Sequence, residues 1–233
     1  MPFAFWPVSP VVSRTWLDFL DFASAKADGT WLFRGHGDSA WDLMPAIGRQ
    51  PSASAYRLAD EKILFEDFIR EAKRYLDIDG FTELEWLAVA QHHGLPTRLL
   101  DWSSNPLVAA WFATEDESIS ADATILALRV PFVRRLRIPS VFGSPGGSPV
   151  VIVEVPPRAA RITAQQGCFS LHPDPRSAWQ PSPPAYDFAA FTVPAPDKAD
   201  FRRLLHVFGY DTQRIHVDMD ALGKTLAWRY RQR

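Results

Sequence analysis

AVAQHHGLPTRLLDWSSNPLVAAWFA, residues 88–113, decides the fold. It opens on the end of a helix that stops at Gly94 and Pro96, a turn glycine followed by a residue that cannot continue a helix. TRLLDWS follows as a short strand. Asn105 and Pro106 then supply an N-cap and a first-turn proline, starting the apolar helix LVAAWFA. A helix without a polar face is buried. Upstream, Thr82 and Glu85 have the three-residue spacing of a capping box, which opens a helix burying Trp86, Leu87 and Ala90 and presenting Gln91, His92 and His93 at its C-terminus.

Working outward, TWLFRG between Gly29 and Gly35 reads as a strand that carries Arg34 to its end. A helix is expected over 14–25, capped by Ser13, with Trp16, Leu17, Leu20 and Ala23 on one stripe. A second is expected over 56–76, with Leu64, Phe68, Ala72 and Leu76 on its apolar face and a Glu66–Arg70 pair. Strands are expected over 123–130 and 149–155; the latter, rich in β-branched residues, is predicted to be central. Between them lies GSPGGSP, a loop. The proline-rich stretch 173–184 reads as a surface excursion, 188–193 as an apolar segment, and the chain from 197 onward as helix. The expected class is α+β, with one domain over 1–233.

Composition narrows the function classes. The 233 residues are 47% apolar and 22% charged, which excludes a disordered chain. The longest apolar run, 106–113, is less than half of the roughly 20 residues a membrane-spanning helix needs. The first residues lack a cationic leader, so an intracellular, cytoplasmic protein is expected. The single cysteine, Cys168, closes no intramolecular disulfide and forms no CxxC pair for zinc. Net charge is −2, but seven arginines fall within 129–176 against two acids, while 60–85 holds nine acids against four bases. Either one face attracts phosphates, or an acidic helix face is solvated and the arginines sit on loops.

Polar groups interrupt buried-looking sequence in FRGHGD (33–38), in QHHGLPTRLLDWS (91–103) and in RITAQQGCF (161–169). Buried polar groups need partners, so these stretches are expected to meet. Arg34 is the leading anion anchor, its planar fork suited to phosphate; the competing reading is an ion pair with Asp101 or Asp38. Asp101 is expected to be buried and paired. Adjacent His92 and His93 diverge by about 100° on a helix and do not share a metal ion, so no metal is expected. They better serve as helix caps or as partners of a carboxylate. A Cys168–His172 nucleophile pair is disfavoured because nothing visible lowers the thiol pKa. The tryptophans either stack bases or, as for Trp16, Trp86 and Trp111, pack the core.

The motifs WLFRGHGDSAWDLMPAIGR, AVAQHHGLPTRLLDWSSNPLVAAWFA and ITAQQGCF resemble the FRG domain family, named for its Phe-Arg-Gly motif, over about 30–230. That family occurs in bacteria and phages. The layout is also similar to the NAD-dependent ADP-ribosyltransferase fold, which implies a central mixed or antiparallel sheet flanked by helices, with helical N- and C-terminal segments. Three strand-borne motifs would then line one cleft. The resemblance implies Arg34 on the ribose or phosphate of the dinucleotide and Ser103, followed by Ala109, Phe112 and Ala113, on the nicotinamide ribose. Gln165 or Gln166 would stand at the catalytic edge where a glutamate is usual. Gly35, His92, His93, Thr97, Arg98, Asp101 and Trp102 would complete the cofactor-binding set.

A glutamine keeps a hydrogen bond but cannot stabilise an oxocarbenium-like cation as a carboxylate does. Asp101 or Glu154 would have to compensate. The reading implied is an NAD-consuming ADP-ribosyltransferase or NAD glycohydrolase, with NAD as substrate, no metal, and water or a nucleic-acid or protein acceptor. A bacterial toxin or antiphage effector, with an antitoxin partner and no membrane contact, fits that chemistry. The alternative is a non-catalytic nucleotide or nucleic-acid binding module retaining the same cleft.

Overall fold

The computed structural model describes residues 12–49, 56–75, 80–130, 141–142, 149–155 and 167–232. Among them it has the expected α+β class, as one six-stranded sheet in which every pairing is antiparallel. The strands are β1 (Trp31–His36), β2 (Leu99–Ser103), β3 (Ala123–Arg129), β4 (Val151–Val153), β5 (Gly167–Leu171) and β6 (Asp187–Val193). Their order across the sheet is β4-β5-β2-β1-β3-β6. The helices are α1 (Arg14–Ser24), α2 (Leu58–Ala72), α3 (Glu83–His92), α4 (Pro106–Thr114), α5 (Lys198–Val207), α6 (Thr212–His216) and α7 (Met219–Arg231).

Local signals set the helix boundaries. Ser13 accepts the Trp16 amide, Thr82 and Glu85 form the reciprocal capping box, and Asn105 accepts the Leu107 amide. Gly94, at φ 86°, provides the left-handed turn that ends α3 and starts the run into β2. Helix α4 is buried along most of its length. It lies against β1 so closely that a Cβ on Gly35 would stand 2.0 Å from the Ala109 carbonyl oxygen and 2.5 Å from the Ala113 nitrogen. Only glycine permits that approach.

Packing overrides several expectations. Residues 149–155 do not form a central strand: β4 is three residues long and lies at the sheet edge, pairing only with β5. Its β-branched side chains are instead covered from both sides, Val153 joining Phe65, Trp86 and Phe169 while Ile152 joins Leu100 and Trp102. On α1 the buried stripe is Trp16 and Phe19, with Phe22 packed beside them, and Leu17 and Leu20 are exposed. Aromatic rings bury more area than leucine, and these meet Phe191 and Phe201. On α2 the inner face is Glu61, Phe65 and Ala72, with Phe68 packed partly; Leu64 faces outward and Leu76 lies outside the described residues. Arg70 pairs with Asp67 and Glu71 rather than Glu66.

Candidate functional site

The sheet is continuous everywhere except between β1 and β2. Strand β1 pairs with β3 along its whole length, from Trp31↔Arg129 to His36↔Thr124, but with β2 only at Phe33↔Ser103. Beside this junction lies a hollow of about 110 Å³, lined by Phe33, Arg34, Gly35, Asp101, Trp102 and Ser103 and floored by Val108, Ala109 and Phe112 of α4.

Side-chain alternation sorts the polar groups. Phe33 packs toward α4 and Leu32 into the opposite cluster with Leu100 and Trp102, so Arg34 and His36 leave β1 on the Leu32 face. Asp101 and Ser103, two residues apart on β2, share the other face. The Arg34 guanidinium bridges the gap: Nη1 donates to the Asp101 carbonyl oxygen at 2.8 Å and lies 3.9 Å from its carboxylate. Its side chain is 15% exposed, and burial holds its pKa down to about 10 against the opposing pull of Asp101.

His36 holds that guanidinium. Arg34 Nε donates to His36 Nε2 at 3.1 Å, and His36 Nδ1 lies 3.2 Å from the Trp41 carbonyl oxygen. A guanidinium only donates and a carbonyl only accepts, so the imidazole is neutral with its proton on Nδ1. Burial, then Arg34 and Arg49, depress its pKa to about 3. No hydrogen bond is made by Arg34 Nη2 among the described residues, which leaves one edge of the fork for a ligand.

Ser103 is buried, and its Oγ accepts from the Asn105 amide at 3.1 Å. Asn105 in turn donates to the Tyr210 hydroxyl at 2.8 Å, tying the floor of the site to the turn after α5. The Asp101 side chain is 51% exposed, contrary to the expectation of a buried carboxylate, because the strand ladder opens beside it. It is the one carboxylate lining the hollow among the described residues. Glu154 is exposed and does not line it.

The remaining sequence candidates divide. Arg34, Gly35, Asp101, Trp102 and Ser103 come together, although the Trp102 indole is sunk in the opposite face and donates to Ser170 Oγ at 3.0 Å. His92, His93, Thr97 and Arg98 do not line the hollow. His92 and His93 stack edge to face, 4.9 Å apart, at the end of α3, while Thr97 is buried and accepts from the Leu99 amide. Arg98 is committed to the core, with Nε 2.9 Å from Glu61 Oε1, Nη2 on Glu61 Oε2 and on Tyr56, and its plane over Phe142. Gln165 and Gln166 lie outside the described residues.

Cys168 is buried, and burial pushes its pKa up to about 12, the opposite of the shift that activates a thiol. Among the described residues no cluster of His, Cys, Asp and Glu could hold a metal ion. The described arginines of the 129–176 cluster are paired, Arg129 with Asp28 and Asp187 and Arg176 with Asp174. His36 was missed by motif reading, yet it stands two positions beyond Arg34 on one strand, and period-two alternation alone puts both on one face.

Residues 29–122, from the turn before β1 to the end of the loop after α4, match the family model of the FRG domain. The chain carries an FRG domain. Both strands of the opening and the helix beneath it therefore fall inside the FRG domain, whereas β3 to β6 and the C-terminal helices lie beyond the match. No curated protein and no solved structure matches the chain. Among the described residues no helix is long and apolar enough to cross a membrane.

Proposed function

We propose that the β1/β2 opening of the FRG domain binds the nicotinamide-ribose end of NAD in an ADP-ribosyltransferase-like site and cleaves its N-glycosidic bond. The observation that carries this reading is the pairing of Asp101 and Ser103 on one strand face, over an apolar floor and beside the Arg34 guanidinium. Ligand pockets that enclose a whole small molecule run to roughly 300–1,000 Å³. A hollow of about 110 Å³ suits a ribosyl fragment, with the pyrophosphate running out toward Arg34 Nη2. As the C–N bond breaks, nicotinamide leaves with the bonding electron pair and the ribosyl carbon becomes cationic. The Asp101 carboxylate stabilises that charge, the part a glutamine at 165 or 166 cannot play. Water, or a nucleophile of a nucleic-acid or protein acceptor, then bonds to the carbon and loses its proton. A bacterial toxin or antiphage effector acting in the cytoplasm, restrained by an antitoxin, belongs to the same proposal.

The glutamines in the third motif favour a second reading, a nucleotide-binding module without turnover. Nicotinamide release from NAD by the purified chain, alone and with DNA, RNA or protein acceptors, separates the two. Asp101→Asn is expected to lower turnover about 10²–10³-fold, the usual cost of losing one aimed electrostatic partner. Turnover undiminished in Asp101→Asn and Arg34→Lys overturns the site. Absence of turnover, with NAD still raising the melting temperature by linkage, supports the binding module.

A further inference from the structure

A second cavity, of about 380 Å³, lies between the loop that follows α4 and helices α5 and α7. It stands apart from the β1/β2 hollow: α4 contributes Phe112 to the first and Thr114 to the second. Three cations and two carboxylates line it, namely Lys198, Arg202 and Arg203 with Asp116 and Glu117. Lys198 is spent as a structural tie, its ammonium donating to the carbonyls of Gly37, Ile119 and Ala121 at 2.9, 2.9 and 3.1 Å. Arg203 is held by Asp200 and reaches Gln232.

Arg202 is placed differently. Its guanidinium lies over the Trp228 ring, 5.5 Å from the centroid, and its side chain is 16% exposed. Nη1 stands 2.6 Å from Glu117 Oε1. The same carboxylate oxygen accepts from Trp228 Nε1 at 3.2 Å. Two donors on separate helices thus converge on one oxyanion, which a 55% exposed side chain on a loop supplies. A planar guanidinium binds carboxylate or phosphate best through two parallel bonds, whereas here a single Glu117 oxygen serves both Arg202 and Trp228.

We propose that Arg202 and Trp228 form a second binding site, for an oxyanion carried on a small organic body, which Glu117 occupies as an internal ligand in the free protein. An incoming carboxylate or phosphate displaces Glu117 to solvent and takes both donors, while Ile119, Ala195 and Ala199 offer apolar wall to the rest of the molecule. The site is independent of the reaction proposed above.

The test is a titration of the ¹⁵N-labelled chain with inorganic phosphate and, separately, acetate, against chloride at matched ionic strength. The readout is the Trp228 indole N–H resonance, assigned with Trp228→Phe. A saturable shift is expected, tightened at least fivefold in Glu117→Gln and lost in Arg202→Gln, and the two anions report which oxyanion is preferred. Glu117→Gln changes a half-exposed side chain and keeps an acceptor oxygen for both donors, so it is expected to fold and decides the matter even should Arg202→Gln not fold. Wild-type affinity in Glu117→Gln overturns the proposal. So does a Trp228 shift no larger than that in chloride, or wild-type binding by a folded Arg202→Gln.

Discussion

Arg34 Nε donates to His36 Nε2 across 3.1 Å, so the orientation of the site's cation depends on a histidine that burial keeps neutral at neutral pH. His36→Phe removes the acceptor and leaves a buried N–H without a partner, at a cost of about 1–3 kcal/mol. Nucleotide affinity is expected to fall along with stability, while His36→Gln, which restores an acceptor, recovers part of both. Calorimetric titration with NAD and chemical denaturation of the two variants check this; equal losses in both would remove the role assigned to the ring.

Acid is expected to destabilise the fold through two buried histidines. Burial holds both His36 and His172 near pKa 3 against 6.5 for the free side chain. Between those values these two histidines bind more protons in the unfolded chain, so their contribution is complete above about 6.5 and is lost as the pH falls; burial raises the Glu115 carboxyl to about 7, which opposes part of that loss. Urea midpoints measured from about pH 7.5 to about pH 5 should drop, and less so in a His172→Phe variant. A flat profile across that interval contradicts the assignment.

Gly35→Ala should prove far more damaging than its size suggests. Its Cβ would meet backbone atoms of α4 at 2.0 and 2.5 Å, and backbone cannot swing aside as a side chain does. Overpacking of this kind costs roughly 1–3 kcal/mol or more, here at the helix that floors the hollow. Thermal melting and ligand binding should fall together. Gly94→Ala is a useful contrast: space is open around that position, and only its φ of 86° resists the change.

The Arg98–Glu61 pair should behave as a structural unit. Both side chains are buried, and removing one partner from such a pair costs about 3–5 kcal/mol. Arg98→Leu and Glu61→Leu are each expected to be strongly destabilising, and the double variant less so than the two losses combined, as measured by a double-mutant cycle in denaturant. Strict additivity would show that the two do not act together.

Asp101→Asn separates site from scaffold. With half of the side chain in solvent, the substitution should change stability by no more than about 0.5 kcal/mol, the usual range for surface positions. Its effect belongs on turnover or nucleotide affinity. A large loss of melting temperature would return Asp101 to the structural role that its apolar neighbours in sequence suggest.

Short-range signals account for the caps at Ser13, Thr82 and Asn105, the glycine that ends α3, the strands that carry Arg34 and Ser103, and the buried helix α4. Those signals act within a few residues and need no distant partner. Tertiary structure alone decided what lies across from what. It placed β4 at the edge, turned Arg98 away from the cleft and onto Glu61, and left Asp101 facing solvent. Each of those outcomes rests on contacts between residues tens of positions apart, whose desolvation and packing are set only when the sheet is assembled and opens between β1 and β2.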